Sequence, residues 1–212
     1  MARQRLSLAC HSTPGPHNLF RGRRVEPCVE TRPVGRTSRL TERQYSTGKG
    51  PGTAPQWWSQ NSPGLIGSPG EHDARGNDLS VSDVDGDGYA DLAVGGPGED
   101  ADGEQRAGAV SLLRGSREGV TATGYQHFDQ NTRGIPGAAE AGDGWGVQVR
   151  LIDGDGRAEL VAAAPDENAG DGAVWLLPAS GNGLLADGFG SYGAAALGGS
   201  AHGAHFGAVI DE

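Results

Sequence analysis

An all-β fold, a partial β-propeller of four-stranded antiparallel blades following a disordered N-terminal tail, is predicted by three observations. An acidic, glycine-pinned loop occurs twice, once intact and once shortened. Around each copy lie four short apolar runs with the two-residue alternation of half-buried strands. Finally, 38 of the 212 residues are glycine, which suits many short strands joined by tight turns.

Only 35% of the chain is hydrophobic and 6% aromatic, poor material for one large packed core. Charge divides it near residue 52. Residues 1–52 hold 10 of the 17 Lys and Arg but 3 of the 27 Asp and Glu, whereas residues 53–212 are strongly acidic. The head, 1–52, reads as a basic disordered or non-native tail, because it lacks apolar periodicity. Its start, Met1 to Cys10, has an apolar stretch too short for a signal peptide, and no transmembrane segment is visible. Both cysteines, Cys10 and Cys28, lie in this head, so nothing in the acidic part depends on thiol chemistry. An acidic body repels nucleic acid and anionic membranes and attracts divalent cations, so neither a nucleic-acid partner nor membrane insertion is expected.

The intact loop runs Asp83-Val84-Asp85-Gly86-Asp87-Gly88-Tyr89-Ala90-Asp91. Four carboxylates at alternate positions repel one another unless a cation sits among them. Oxygen-only ligands favour Ca²⁺. Asp83, Asp85, Asp87 and Asp91 offer side-chain oxygens, Tyr89 offers its backbone carbonyl, and Gly88 permits the sharp turn. An EF-hand is excluded, since its twelfth position would be Val94 and both flanks alternate like strands. The plain alternative is a solvated Asp/Gly turn without metal. The second copy, Asp153-Gly-Asp155-Gly-Arg157-Ala-Glu159, has lost a ligand however it is aligned. With Asp153 at the first position it is two residues short; with Asp153 and Asp155 at the third and fifth, Leu151 replaces the first ligand. Asp153, Asp155 and Glu159 are therefore expected to form a weak or empty site.

A shift of 70 residues lays Gln56–Gly64 on Gln126–Gly134, Arg75-Gly76 on Trp145-Gly146, and Asp83 on Asp153. After the loop the shift becomes 68, matching Ala90-Asp91-Leu92 with Ala158-Glu159-Leu160. In the first unit strands are expected at 77–82, 91–95, 108–114 and 122–128; in the second, at 147–152, 159–163, 172–178 and 186–192. Blade 1 spans about 75–134 and blade 2 about 145–200, and a truncated third unit opens near 205 at His205-Phe206-Gly207. Four strands in constant order make a propeller blade; a parallel β-helix, with shorter repeats, is the second reading.

With its acidic loop, its Phe206-Gly207 opening and its Gly95-Gly96-Pro97 and Ala163-Ala164-Pro165 tripeptides, the region 53–212 resembles the FG-GAP repeats of integrin α-chain propellers and their bacterial integrin-like relatives. Trp145-Gly146 keeps an aromatic at the opening, and Arg75-Gly76 departs from it. The resemblance implies seven blades in a closed ring, so about two and a half repeats leave open faces for further blades or self-association to cover. It also implies calcium loops on one rim and a protein or glycan ligand bound by blade loops elsewhere.

The expected function is accordingly a non-enzymatic, calcium-binding repeat module for extracellular or cell-surface adhesion or ligand binding. One alternative is the non-catalytic propeller portion of an exported hydrolase, since similar repeats accompany a phospholipase D-like catalytic domain. Another is a truncated, degenerate gene product. The chain itself supplies no Gly-x-Ser-x-Gly elbow, Walker loop or His-Glu-x-x-His. Gly188-Phe-Gly-Ser-Tyr-Gly193 fits a dinucleotide fingerprint only formally, and His202 and His205 lack the partners of a zinc site.

Overall fold

The computed structural model describes residues 56–187 and 190–210, together with the backbone of two strands further upstream. Those strands, β1 (Val29–Pro33) and β2 (Arg43–Thr47), pair antiparallel, and β2 pairs with β3 (Gln56–Trp58). They fall in the segment where a disordered tail is expected. The rest of that segment, Cys10 and Cys28 included, lies outside the described residues.

The first repeat forms one antiparallel sheet in chain order: β4 (Leu79–Ser82), β5 (Asp91–Gly96), β6 (Ala109–Arg114) and β7 (Thr121–Phe128). All six residues of β5 are buried, because both of its faces are covered. Pro97, which has no N–H to give a ladder, follows its last residue. The second repeat places β8 (Gln148–Asp153), β9 (Ala158–Ala164) and β10 (Ala173–Leu177) in the same order. A small hairpin, β11 (Ala179–Ser180) with β12 (Gly183–Leu184), comes next. The fourth strand, β13 (Ser191–Tyr192), pairs with β10 through two residues only, shorter than the 186–192 expected. Within the formal dinucleotide fingerprint, Ser191 and Tyr192 thus belong to an edge strand, while 188 and 189 lie outside the described residues.

The largest core lies between the two sheets. Ala93, Val110, Leu112 and Phe128 of the first meet Val149, Leu160, Ala162 and Trp175 of the second. Trp145 is fully buried in this seam, edge-on to Trp175 at 6.1 Å and 89°. Its backbone is held too: the Trp145 N–H donates to the Ala107 carbonyl (2.8 Å) and the Gly146 N–H to the Ala163 carbonyl (2.9 Å). The opening aromatic is therefore the wedge between blades. On the other face of the first sheet, Leu92, Val94, Leu113 and Val120 pack with Trp58 and Leu65.

Inner strands β4 and β8 are joined by side chains rather than a ladder. Asp78 accepts from the Val149 N–H (2.8 Å) and the Arg150 guanidinium (2.7 Å), and the Ser80 hydroxyl accepts from the Leu151 N–H (2.8 Å). Side chains of the first blade thus give two backbone donors of β8, at Val149 and Leu151, their acceptors.

Arg75, at the opening position of the first repeat, is buried despite its charge. It pairs with Glu99 (Nε to Oε1, 3.0 Å) and donates to the Tyr125 hydroxyl (3.3 Å). The departure from the aromatic pattern is thus met by a buried ion pair. The third opening, Phe206-Gly207, repeats the docking of the second: the Phe206 N–H donates to the Asp171 carbonyl (3.1 Å), as Trp145 does to Ala107.

Candidate metal centre

The acidic loop joins β4 to β5, and its shape is set by its own carboxylates. Asp83 accepts from the Gly86 N–H through Oδ1 and the Gly88 N–H through Oδ2, both at 2.8 Å. Gly86 and Gly88 have φ of 77° and 90°, a conformation that glycine adopts without steric penalty. Asp85 accepts from the Asp87 N–H (3.1 Å), and Asp87 from the Tyr89 N–H (2.8 Å).

Asp83, Asp85 and Asp91 each bring a carboxylate oxygen to within 4.8 Å of the others. Such spacing suits a hard cation with oxygen ligands at about 2.3–2.6 Å, so the donors and their separation fit Ca²⁺. Asp87 is outside this convergence, its carboxylate turned to the Tyr89 N–H. Tyr89 itself is exposed on the loop.

Asp91 differs from its partners in being buried. Its carboxylate accepts from the Gly115 N–H (2.6 Å) and the Val84 N–H (3.0 Å). Burial pushes its pKa up to about 6, the nearby Asp87 and Asp83 adding to the rise and the two backbone donors opposing it. The Arg114 guanidinium supplies one positive charge, pairing with Asp85 and, through Nε at 3.3 Å, with Asp91. A register shift between Leu112 and Arg114 marks an irregularity in β6 just before this residue. Arg114 pairs directly with the carboxylates and Arg157 reaches only the Asp85 carbonyl, so with four carboxylates the loop retains an excess of negative charge.

The second loop is a different object. Ile152 pairs with Glu159 as Ser82 pairs with Asp91, so Asp153 stands where Asp83 stands and two residues are missing between. The ladder gains one more pair, Asp153 with Ala158, leaving a turn of four exposed residues. Asp153 caps the Gly156 N–H (2.7 Å), and Asp155 faces the Arg157 N–H at 3.4 Å. Among the described residues, Asp153, Asp155 and Glu159 form no convergent group. Arg157 instead reaches the first loop, its Nε donating to the Asp85 carbonyl (3.3 Å), while the Ala158 N–H donates to the Asp83 carbonyl (2.9 Å). His202 is exposed, and His205 pairs with Asp166 at 3.3 Å.

Sequence reasoning missed Arg114, since no repeat spacing or motif singles out an arginine at the end of a third strand. The contact is created by the fold.

The comparisons with known proteins agree with this geometry. The FG-GAP repeat family model matches residues 75–113 and 152–177, which cover the first opening through β6 and the second loop through β10. No curated protein matches the chain. Among the described residues no helix is long and apolar enough to cross a membrane. The matched segments contain both acidic loops and most of the strands around them, so residues 75–113 and 152–177 are two FG-GAP repeats, integrin-like in kind, within a nearly all-β structure.

Proposed function

We propose that the chain is a calcium-stabilised, non-enzymatic repeat module that serves extracellular adhesion or ligand binding. The observation that carries this reading is the convergence of Asp83, Asp85 and Asp91 in the first repeat. These three would hold the ion; the Tyr89 carbonyl, and Asp87 once its carboxylate leaves the Tyr89 N–H, would complete the set. Bound Ca²⁺ would supply positive charge to a loop that Arg114 neutralises only in part. Asp83 and Asp91 fix the two ends of the loop to backbone N–H groups, so anything that holds their carboxylates together stiffens the rim between β4 and β5.

The extracellular assignment follows from the affinity such a loop would have, roughly 10⁻⁴ to 10⁻³ M, the range in which sites fill outside cells. The partner would be a protein or glycan bound by blade loops. Further blades, or a second copy, would cover the open faces.

Titration calorimetry of the full chain with CaCl₂, paired with thermal melting, tests the proposal. Binding is expected in that range, and Ca²⁺ at about a hundred times its Kd should stabilise the fold by about 2.7 kcal/mol. Asp83→Asn should abolish both signals, and Asp153→Asn should leave them unchanged. Neither heat nor a melting shift with the native sequence would overturn the assignment.

A further inference from the structure

Each repeat buries the same polar triad. In the first it is Gln60, Asp73 and Glu99; in the second, Gln130, Asp143 and Glu167, which the repeat shifts of 70 and 68 superimpose. All six are less than a tenth exposed. The supporting bonds correspond. Asp73 accepts from the Gly70 N–H (2.6 Å) and Asp143 from the Glu140 N–H (2.8 Å); Gln60 donates to Glu99 (2.8 Å) and Gln130 to Glu167 (2.6 Å).

The two triads differ in their cation. Arg75 sits against Glu99 in the first repeat, and its place in the second is taken by Trp145, which has no charge. Among the described residues, neither Asp143 nor Glu167 pairs with a Lys, Arg or His. Gln130 donates to Glu167 (2.6 Å), and Asp143 lies near enough for one proton to bridge the two carboxyls, a place that two ionised groups cannot share. The remaining groups around them bring no positive charge. Glu140 adds a like charge, Gln130 and Asn168 contribute neutral amides, and the neighbouring Asp166 is engaged with His205.

We propose that the second repeat holds a proton where the first holds a guanidinium: Asp143 and Glu167 share one hydrogen in the folded chain and release it to solvent as the medium becomes alkaline. The released state leaves two buried carboxylates in contact, with Glu140 close by. They lie at the Glu167–Gly170 turn, whose Gly170 carbonyl accepts the His205 N–H (2.9 Å) beside the third opening motif. Deprotonation therefore acts on the seat of the next repeat unit.

The surroundings of the two groups act in the same direction. Burial, the larger cause, and the neighbouring acids push Glu167 from its ordinary 4.5 up to about 7, and burial raises Asp143 as well. The folded chain thus holds the proton more tightly than the unfolded chain. This contribution to stability is full below pH 4.5 and is lost as the pH rises through about 7.

The test is the melting temperature of the full chain between about pH 5 and pH 9, with infrared detection of the protonated carboxyl. The native sequence should lose roughly 5 °C or more across neutrality. Glu167→Gln should remove that step, because an amide keeps the hydrogen bond without an ionisable proton; Glu99→Gln, in the repeat that Arg75 neutralises, should retain it. A carboxylic C=O band that shifts on deuteration and titrates near neutrality is expected in the native chain. It should persist in Asp91→Asn and in Glu99→Gln, which remove the two other carboxyls that burial pushes up, Glu99 despite the opposing Arg75. The proposal falls if Glu167→Gln and Asp143→Asn keep the step. It falls equally if no such band exists in the native chain, or if K⁺ or Mg²⁺ at constant ionic strength abolishes the step and so stands in the proton's place.

Discussion

Trp145→Ala should lower the unfolding free energy by about 4 kcal/mol, the usual cost of deleting a large aromatic from a closed core. In a body of this size that corresponds to a fall in melting temperature of roughly 10 °C. Trp145 has no exposed surface, and its ring meets Trp175 edge-on at 6.1 Å, so truncation opens a hole between two sheets that share no backbone ladder. The walls cannot close over it easily. On one side the Trp145 N–H is fixed to Ala107, and on the other Gly146 is fixed to Ala163, so the position of the wedge is set by backbone bonds before its side chain is considered. Trp145→Phe separates the packing role from any other. Phenylalanine occupies the corresponding place in the third opening, at Phe206, and should recover most of the loss, leaving a deficit of about 1–2 kcal/mol. Chemical denaturation of the full chain checks both values, and a loss below about 1 kcal/mol for the alanine variant would mean that the seam does not depend on its wedge.

Much of this architecture was legible because strand periodicity and repeat spacing reinforce each other. The alternation of Leu79 and Val81, the buried run 91–96 and the run 109–114 fall where expected, and the register displaced by two residues after Asp153 appears as a shortened turn. The last strand of the second repeat was less legible. Its residues, Ser191 and Tyr192, are exposed and pair only with β10, so no apolar alternation announces them. At the candidate metal centre, spacing identified the acids but not which of them converge. Asp87 stands outside the converging three with its carboxylate on the Tyr89 N–H, yet Asp83 and Asp85 also accept from loop N–H groups, so residue spacing does not tell them apart. Arg75 shows the opposite limit. As a departure from the aromatic pattern it carries no sign of a packing role, yet Glu99, 24 residues on, makes it a core residue. The match of Gln60, Asp73 and Glu99 with Gln130, Asp143 and Glu167 was present in the repeat alignment, and the signal lay in polar identities at positions where surface residues are free to vary.

Gly108→Ala and Gly103→Ala should differ sharply although the two glycines have the same φ. Both have φ of 94°, where an alanine is strained by about 1–2 kcal/mol whatever surrounds it. Gly103 has open space beyond that, with nothing within 4 Å of an added Cβ. At Gly108 the same atom would fall onto the backbone N and O of Trp145 and within 2.8 Å of the Gly144 carbonyl carbon. Those are main-chain atoms held in a bridge with Gly108 itself, so no rotamer change relieves the overlap. The expected loss is about 2 kcal/mol for Gly103→Ala and about 4 kcal/mol for Gly108→Ala, the difference being the cost of forcing the second opening motif off the first blade. Gly172→Ala extends the comparison to the next seam. Its φ is 77°, and an added Cβ there would meet the backbone of Phe206 and come within 2.8 Å of the His205 carbonyl carbon. If the third opening is seated as the second is, Gly172→Ala should cost nearly as much as Gly108→Ala. A loss no larger than that of Gly103→Ala would show instead that Phe206-Gly207 yields without disturbing the second blade. Denaturant melts of the three variants, read against one native baseline, decide whether close backbone approach at the opening motif is a general rule of these repeats or a property of the Trp145 seam alone.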